Sequence, residues 1–267
     1  MFTVDIAHKD FRFRLLTDSL EIYNEISPRV YSVPGGKSYG QKQVDVTISF
    51  FNKLIIINKN GENEYIHLDY TEKEIYPVIF SEIYKYLFNI GSIGIHSVLV
   101  SKSNRNHLII GDFGQGKTTL ATELEKNDFK ILSCDQSEIK YLNKKVYALS
   151  GSKLNKLSGT STIIKDDIKT PLEIDTIYKV KGLSYGGLPI FNKVTDNSNK
   201  VFNLWPAITW PWQNPILSAY TDNMEWKNYR VNCIKACTTL SVISQIELRG
   251  DPSLIAKKIS QKVPILN

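Results

Sequence analysis

The sequence predicts an α/β protein with a core built around a glycine-rich loop and a strand-rich segment ahead of it. Three observations carry that expectation. The stretch "HLIIGDFGQGKTTLATELEKNDFKILSCDQSEI", residues 107–139, reads as strand, glycine-rich loop, helix and strand. Residues 1–70 are dominated by short segments in which apolar and polar residues alternate. Near residue 90 the pattern changes from long helical periodicity to short apolar runs, which places a boundary between an N-terminal α+β module, 1–90, and a second unit, 91–267.

In the first unit, "DFRFRLL" and "VDVTISFF" alternate as half-buried strands do, and "KLIIINKNGENEYIHLD" reads as two strands joined at Asn60-Gly61, a hairpin dipeptide. Between them "SVPGGKSYGQKQ" is a loop of turn residues. In "TEKEIYPVIFSEIYKYLFNIG", Thr71 and Glu74 have capping-box spacing, and Ile75, Val78, Ile79, Ile83 and Leu87 recur with helical period. Pro77 falls in the early turns, where a helix tolerates it best, and Gly91 would close the helix.

In the second unit, "GIHSVLVSK" and "NHLIIGD" read as paired strands around the turn "SNRN". A helix over 117–126 follows, then the strand "FKILSCD" and the segment "EIKYLNKKVYALS". Further strands are expected at "TIYKVKGL" and "KVFNL", then a loop, "WPAITWPWQNP", whose prolines forbid continuous helix. The chain ends with a helix over 223–240, a strand at "SVISQIEL", and a helix capped by Asp251-Pro252 that runs to about 261. Trp205, Trp210 and Trp212 either complete the core or present rings on which a base or a peptide could stack.

Composition narrows the function classes. The 267 residues are 42% hydrophobic and 11% aromatic, enough for a sizeable core. A net charge of +6 favours anionic partners, but the basic residues are scattered, so nothing specific points to nucleic acid. No window approaches a membrane span, and the N-terminus lacks the apolar core and cleavage site of a secretory signal, so a cytoplasmic protein is expected. The three cysteines do not form a disulfide framework. Cys233 and Cys237, four apart on a helical face, read as small buried hydrophobes rather than metal ligands.

The chemistry concentrates at the loop. Gly111-Asp112-Phe113-Gly114-Gln115-Gly116-Lys117-Thr118 fits the phosphate-loop (Walker A) pattern, and Thr119 continues into the helix. Gly111, Gly114 and Gly116 let the backbone curl so that successive N–H groups face phosphate oxygens, and the helix adds its positive end. Lys117 would reach the β- and γ-phosphates of a nucleotide, and Thr118 would supply a hydroxyl to Mg²⁺. Asp135, eighteen residues after Lys117 at the end of a strand, can hold Mg²⁺ or orient the attacking group. His96, on the strand before the loop strand, could bond a carboxylate or move a proton near neutral pH. Arg105, Arg230 and Arg249 are unranked candidates for a further cation at the transferred phosphate.

Taken together, "IHSVLV", "LIIGDFGQGKTTLATEL" and "FKILSCDQSEI" resemble the HPr kinase/phosphorylase family and its relatives, which include small-molecule kinases and HPr-kinase-like enzymes found with ribosomally made peptides. The resemblance covers about residues 92–142. It implies a P-loop kinase core of the HPr-kinase/PEP-carboxykinase-like type, ATP and Mg²⁺ as cofactors, and a hydroxyl acceptor, foremost Ser or Thr of a peptide or protein. On it His96, Lys117 and Asp135 take catalytic places, residues 111–119 hold the nucleotide, and Thr118 and Asp135 hold the metal. Relatives often assemble, so a homo-oligomer is implied too. The sequence departs from the family where Cys134 stands in place of the first member of an acidic pair, and where "VKGLSYGG" matches the second glycine-rich signature poorly. The alternatives are a kinase of a small molecule, such as free serine or a sugar, and a nucleotide-binding module without transferase activity.

Overall fold

The computed structural model describes residues 1–38, 44–51, 54–59, 61–67, 72–157, 160–213 and 223–262. They form a mixed α/β structure with two six-stranded sheets, one four-stranded sheet and a separate hairpin. Strands β1 (Phe2–His8), β2 (Phe11–Thr17), β3 (Lys37–Ser38), β4 (Val46–Phe51), β5 (Leu54–Lys59) and β6 (Glu62–His67) make the first sheet, in the order β3-β1-β2-β4-β5-β6. All of its pairs are antiparallel except β2 with β4.

The expected hairpin joins β5 to β6, with Gly61 at a φ of 86° that favours glycine. Asn60, Thr71 and the side chain of Glu74 lie outside what the structure describes. The segment read as mostly strand also contains a helix, α1 (Leu20–Ile26), started by Ser19, whose hydroxyl accepts from the Ile22 N–H at 3.3 Å.

Helix α2 (Glu72–Asn89) lays Ile75, Val78, Ile79, Ile83 and Leu87 into the same apolar cluster as Ile6, Phe13, Leu15, Ile48, Phe50, Ile55 and Ile57 of this sheet. The period-2 face of the strands and the 3.6-residue stripe of the helix meet there. Tyr86 of α2 stacks on Phe11 with ring centroids 4.3 Å apart. Another stripe of α2, Tyr76, Phe80 and Tyr84, meets Trp210, all with centroids within 6.4 Å.

The second sheet carries the loop. It contains β8 (Val98–Lys102), β9 (Arg105–Ile110), β10 (Lys130–Ser133), β16 (Thr176–Leu183), β17 (Ile190–Val194) and β18 (Ser244–Gly250), in the order β10-β8-β9-β16-β18-β17. The central strands β9, β16 and β18 run parallel; their outer neighbours run antiparallel. Alternation sorts the side chains onto two faces. Val98, Val100, Ile109, Tyr178 and Val180 pack with helices α3 (Lys117–Glu125) and α6 (Pro252–Lys262) through Leu120, Leu124, Ile255 and Ile259. Leu99, Leu108, Ile110 and Ile177 join the other cluster with α4 (Asn197–Thr209) and α5 (Asn223–Leu240). Asp251 starts α6 by accepting from the N–H groups of Ser253 and Leu254 at 2.8 and 3.2 Å.

The third sheet, β15-β12-β11-β7, contains β7 (Ile93–Ile95), β11 (Ser137–Leu142), β12 (Lys145–Gly151) and β15 (Leu172–Glu173). Strands β13 (Leu154–Leu157) and β14 (Thr160–Ile163) form the hairpin.

Two expectations fail. "KVFNL" is not a strand but lies in the first turns of α4, where the Asp196 carboxylate accepts from the Asn199 N–H at 2.7 Å. Val201, Leu204 and Ile208 recur at three and four residues and pack inward, a period that five residues are too few to reveal. Nor is "WPAITWPWQNP" a loop at its start. Pro206 stands inside α4, and Trp210–Gln213 forms a 3₁₀ turn. The lost hydrogen bond and ring clash cost about 3 kcal/mol. Burial of Leu204, Ala207, Ile208 and Trp210, at roughly 1.5–3 kcal/mol for each large side chain, outweighs that cost. Trp210 and Trp212 are core residues. Among the described residues no helix is long and apolar enough to cross a membrane.

Candidate functional site

The site lies where two strand pairs change sheets together. Strands β7 and β8 are separated by His96-Ser97, and β10 and β11 by Cys134-Asp135-Gln136. Strand β7 pairs with β11 in the third sheet, and β8 pairs with β10 in the second. The two breaks therefore face each other. The Ser97 N–H donates to the Asp135 carbonyl at 3.2 Å, and hydroxyls of Ser97, Ser137 and Ser133 follow one another at 2.9 and 3.0 Å. His96 thus sits in a break between strands, not on the strand expected for it.

At this switch His96 Nε2 lies 3.1 Å from Asp135 Oδ1, and the Tyr76 hydroxyl donates to Asp135 Oδ2. The carboxylate is held from both sides. Burial alone would push the Asp135 carboxyl up. The bond from His96, the Tyr76 hydroxyl and the Lys117 ammonium outweigh burial and hold it well below the usual carboxylate range. Burial pushes the His96 imidazole below its ordinary value, with Asp135 opposing, which favours a neutral ring that donates Nε2–H. Asp135 itself has a φ of 78°, a left-handed conformation that a non-glycine residue adopts at a cost.

The loop leaves the C-terminal end of β9 and enters α3. Gly114 and Gly116 have φ values of 74° and 95°, and a side chain on Gly116 would also meet Leu183 Cδ1 at 2.7 Å. Lys117 opens α3 and is buried, with Nζ donating to the Gly111 and Asp112 carbonyls at 2.9 and 3.2 Å. Burial pushes its ammonium below the ordinary lysine value, against the pull of Asp135 and Asp112. Phe113 is 68% exposed and packs on the His96 ring, centroids 4.7 Å apart. Trp210 supports the same imidazole from the core at 5.5 Å.

His96, Val98, Phe113, Gly114, Gly116, Lys117, Thr118, Thr119 and Asp135 line one cleft of about 290 Å³. Of the expected site residues, Gly111, Asp112 and Gln115 are in the loop but do not line that cleft. Cys134 faces elsewhere: its side chain is buried in the apolar cluster with Ile109, Leu120 and Ala121. Arg105 pairs with Asp175 at 2.7 Å at the start of β9, away from the loop, while Arg230 and Arg249 are exposed on α5 and β18. None of the three lines the cleft.

Two residues escaped the sequence reading. Tyr76 lies 59 residues before its partner Asp135, on a helix whose period reveals only its apolar stripe. Lys179 on β16 is 5% exposed, and its Nζ lies 3.0 Å from Asp112 Oδ1. Its signal was legible, since a lysine between Tyr178 and Val180 in a core strand requires a partner.

The arrangement suits a phosphate-bearing ligand, with glycine-permitted loop curvature, a helix N-terminus and Lys117 at one end of the cleft. Thr118 and Asp135 could hold a divalent cation there. Among the described residues no group of three or more His, Cys, Asp or Glu gathers as a metal cage, but Mg²⁺ bound through phosphates takes only one or two protein ligands and keeps several waters.

No known family model matches the chain, and no curated protein matches it either. Among solved structures, the HPr(Ser) kinase/phosphatase from Coxiella burnetii aligns with 63% of this chain and 95% of its own, at 12% identity and a TM-score of 0.36. The backbones differ too much at that score for the likeness to support a function.

Proposed function

We propose that the chain is a Mg²⁺–ATP-dependent phosphotransferase that passes the γ-phosphoryl group to a hydroxyl, foremost Ser or Thr of a peptide or protein. The observation that carries this reading is the convergence of Lys117 and Thr118 of the loop with Asp135 in one cleft, the carboxylate held by His96 and Tyr76. Phosphoryl transfer asks little covalent chemistry of a protein; it asks for alignment and for positive charge at the phosphoryl oxygens.

The loop N–H groups and Lys117 would bind and orient the phosphates, and Thr118 and Asp135 would hold the cation. When bound, Mg²⁺ would neutralise charge on the β- and γ-phosphates. Asp135, kept ionised, would accept a hydrogen bond from the acceptor hydroxyl and take its proton at a carboxylate oxygen as transfer completes. His96 would hold that carboxylate through Nε2–H. With Cys134 in the core, Asp135 does alone what an acidic pair would share. The exposed Phe113 ring forms an apolar wall of the cleft beside the place where an acceptor would enter.

A nucleotide-binding module without transferase activity is the second reading, and Asp135 being the one carboxylate among the described residues that line the cleft favours it. Phosphorus NMR of Mg²⁺–ATP with the protein, offered cell extract split into peptide and small-metabolite fractions, separates the two. The proposal expects a new phosphoester signal in one fraction, absent with Lys117→Ala. Bound but unconsumed ATP in every fraction would leave only the binding module.

A further inference from the structure

The two lysines of the site differ in what holds them. Lys117 Nζ bonds to backbone carbonyls of the loop, whereas Lys179 Nζ is paired with a carboxylate, Asp112 Oδ1, at 3.0 Å. We propose that Lys179, which reaches the loop beside the cleft rather than lining it, is a second phosphate-binding cation, and that Asp112 is the internal anion which an incoming phosphate displaces from it. The inference deepens the proposed function and rests on it.

Position is the first argument. Strand β16 is the middle of the three parallel strands and lies beside the strand that feeds the loop. Lys179 stands opposite Ile110, the last strand residue before Gly111, and its Nζ reaches the loop at Asp112 Oδ1. Ligands of open α/β sheets gather outside the carboxyl ends of such strands.

Asymmetry is the second. The Lys179 side chain is 5% exposed and the Asp112 side chain 57%. An ammonium that deep cannot withdraw to water and must keep an anion nearby, because an unpaired buried charge is costly. A carboxylate that is more than half exposed can return to solvent at little cost. In this pair the anion is the replaceable partner. A phosphate oxygen would give Lys179 the same charge-assisted contact without any movement of the strand.

Charge crowding is the third. Lys179 and Lys117 converge on the same loop residue, one at the carboxylate of Asp112 and the other at its carbonyl. Lys179 also contributes to the lowering of the Lys117 ammonium, behind the effect of burial. Two neighbouring ammonium groups favour a polyanion between them over a single carboxylate.

Calorimetric titration of Mg²⁺–ATP into the wild type, Asp112→Asn, Lys179→Met and Lys117→Ala tests this, with far-ultraviolet circular dichroism to confirm folding. Asp112→Asn decides by the sign of its effect, and because it leaves the buried Lys179 ammonium without its carboxylate its folding is confirmed first. If Asp112 competes with phosphate, Asp112→Asn tightens ATP binding several-fold, and Lys179→Met weakens it on the order of tenfold to a hundredfold. If Lys179 only pins the loop, the two substitutions break one bond and weaken binding alike, which overturns the inference. Unchanged affinity in Asp112→Asn overturns it equally. A wild type that binds no better than Lys117→Ala defeats the phosphate-site reading itself, and Lys179 with it.

Discussion

His107 offers the sharpest test of how this core is built. The residue lies on β9, two positions before Ile109, with its ring against Phe129 and Tyr178 at centroid distances of 6.1 and 5.3 Å. Neither ring nitrogen has a hydrogen-bond partner among the described residues. Burial lowers the imidazole from its ordinary 6.5 to about 4, Asp175 opposing and Arg105 assisting. A histidine held below its unfolded value takes up a proton more readily when the chain unfolds. Its contribution is therefore complete above about pH 6.5 and is lost as pH falls toward 4.

The difference of about 2.5 between those values corresponds to about 3 kcal/mol in full, at about 1.36 kcal/mol per unit, of which roughly 2 kcal/mol has gone by pH 5. His107→Phe keeps an aromatic ring and removes both the titration and the unpartnered nitrogens. Urea denaturation at pH 7 and pH 5 should show the wild type losing about 2 kcal/mol more than the variant. His8 and His96 are shifted in the same direction and remain in both proteins, so they cancel in the difference. Equal losses in the two proteins would refute the reasoning.

Tyr76→Phe keeps the ring packed on Phe80 and Trp210 and removes the hydroxyl from Asp135. One charge-assisted hydrogen bond, about 1.5–3 kcal/mol, no longer favours the ionised carboxylate, so the acid limb of the pH–rate profile of the proposed phosphoryl transfer should move upward. A limb that stays in place would show that Tyr76 does not position Asp135. Cys134→Asp recreates an acidic pair in sequence but places the carboxylate among Ile109, Leu120 and Ala121. It should cost about 3 kcal/mol or more in urea denaturation and gain no transferase activity; a stable, faster enzyme would overturn the assignment of Cys134 to the core.

The parts of the fold that were legible are those fixed by local pattern. The loop, α3, α5, β18 and the β5–β6 hairpin each follow from periodicity or from glycine at a demanding position. Helix α4 was misread because Pro206 and three tryptophans gave stronger local signals than Val201, Leu204 and Ile208, whose spacing matters only once there is a sheet to bury against. The spacing around the loop singled out His96, Lys117, Thr118 and Asp135, and the fold brings them into one cleft. Tyr76 and Lys179 reach the site from a distant helix and a neighbouring strand; the core-strand lysine signals that it needs a partner, but no single segment encodes which partner either residue meets.

The turn at residues 134–136 explains why adjacent side chains end in different surroundings. Left-handed backbone at Asp135 turns the chain between two sheets, and three successive side chains enter three environments. Cys134 enters the apolar cluster beneath α3, Asp135 the cleft, and Gln136 the buried network of Tyr84 and Trp210. The backbone is pinned throughout, by Cys134 N–H to the Ser152 carbonyl at 3.0 Å, Ser152 N–H to the Gln136 carbonyl at 2.8 Å, and the Ser133 hydroxyl to that carbonyl at 2.6 Å. Those bonds offset the left-handed conformation, which costs on the order of 1–2 kcal/mol. Moving the carboxylate one position would exchange a cleft for a core, so this turn places the Asp135 carboxylate in the cleft by direction rather than by acidity. The same geometry explains why Trp210 matters to a site it does not line: its indole N–H bonds the Tyr84 hydroxyl at 3.0 Å, and its ring backs both His96 and Tyr76, the two donors that fix the carboxylate.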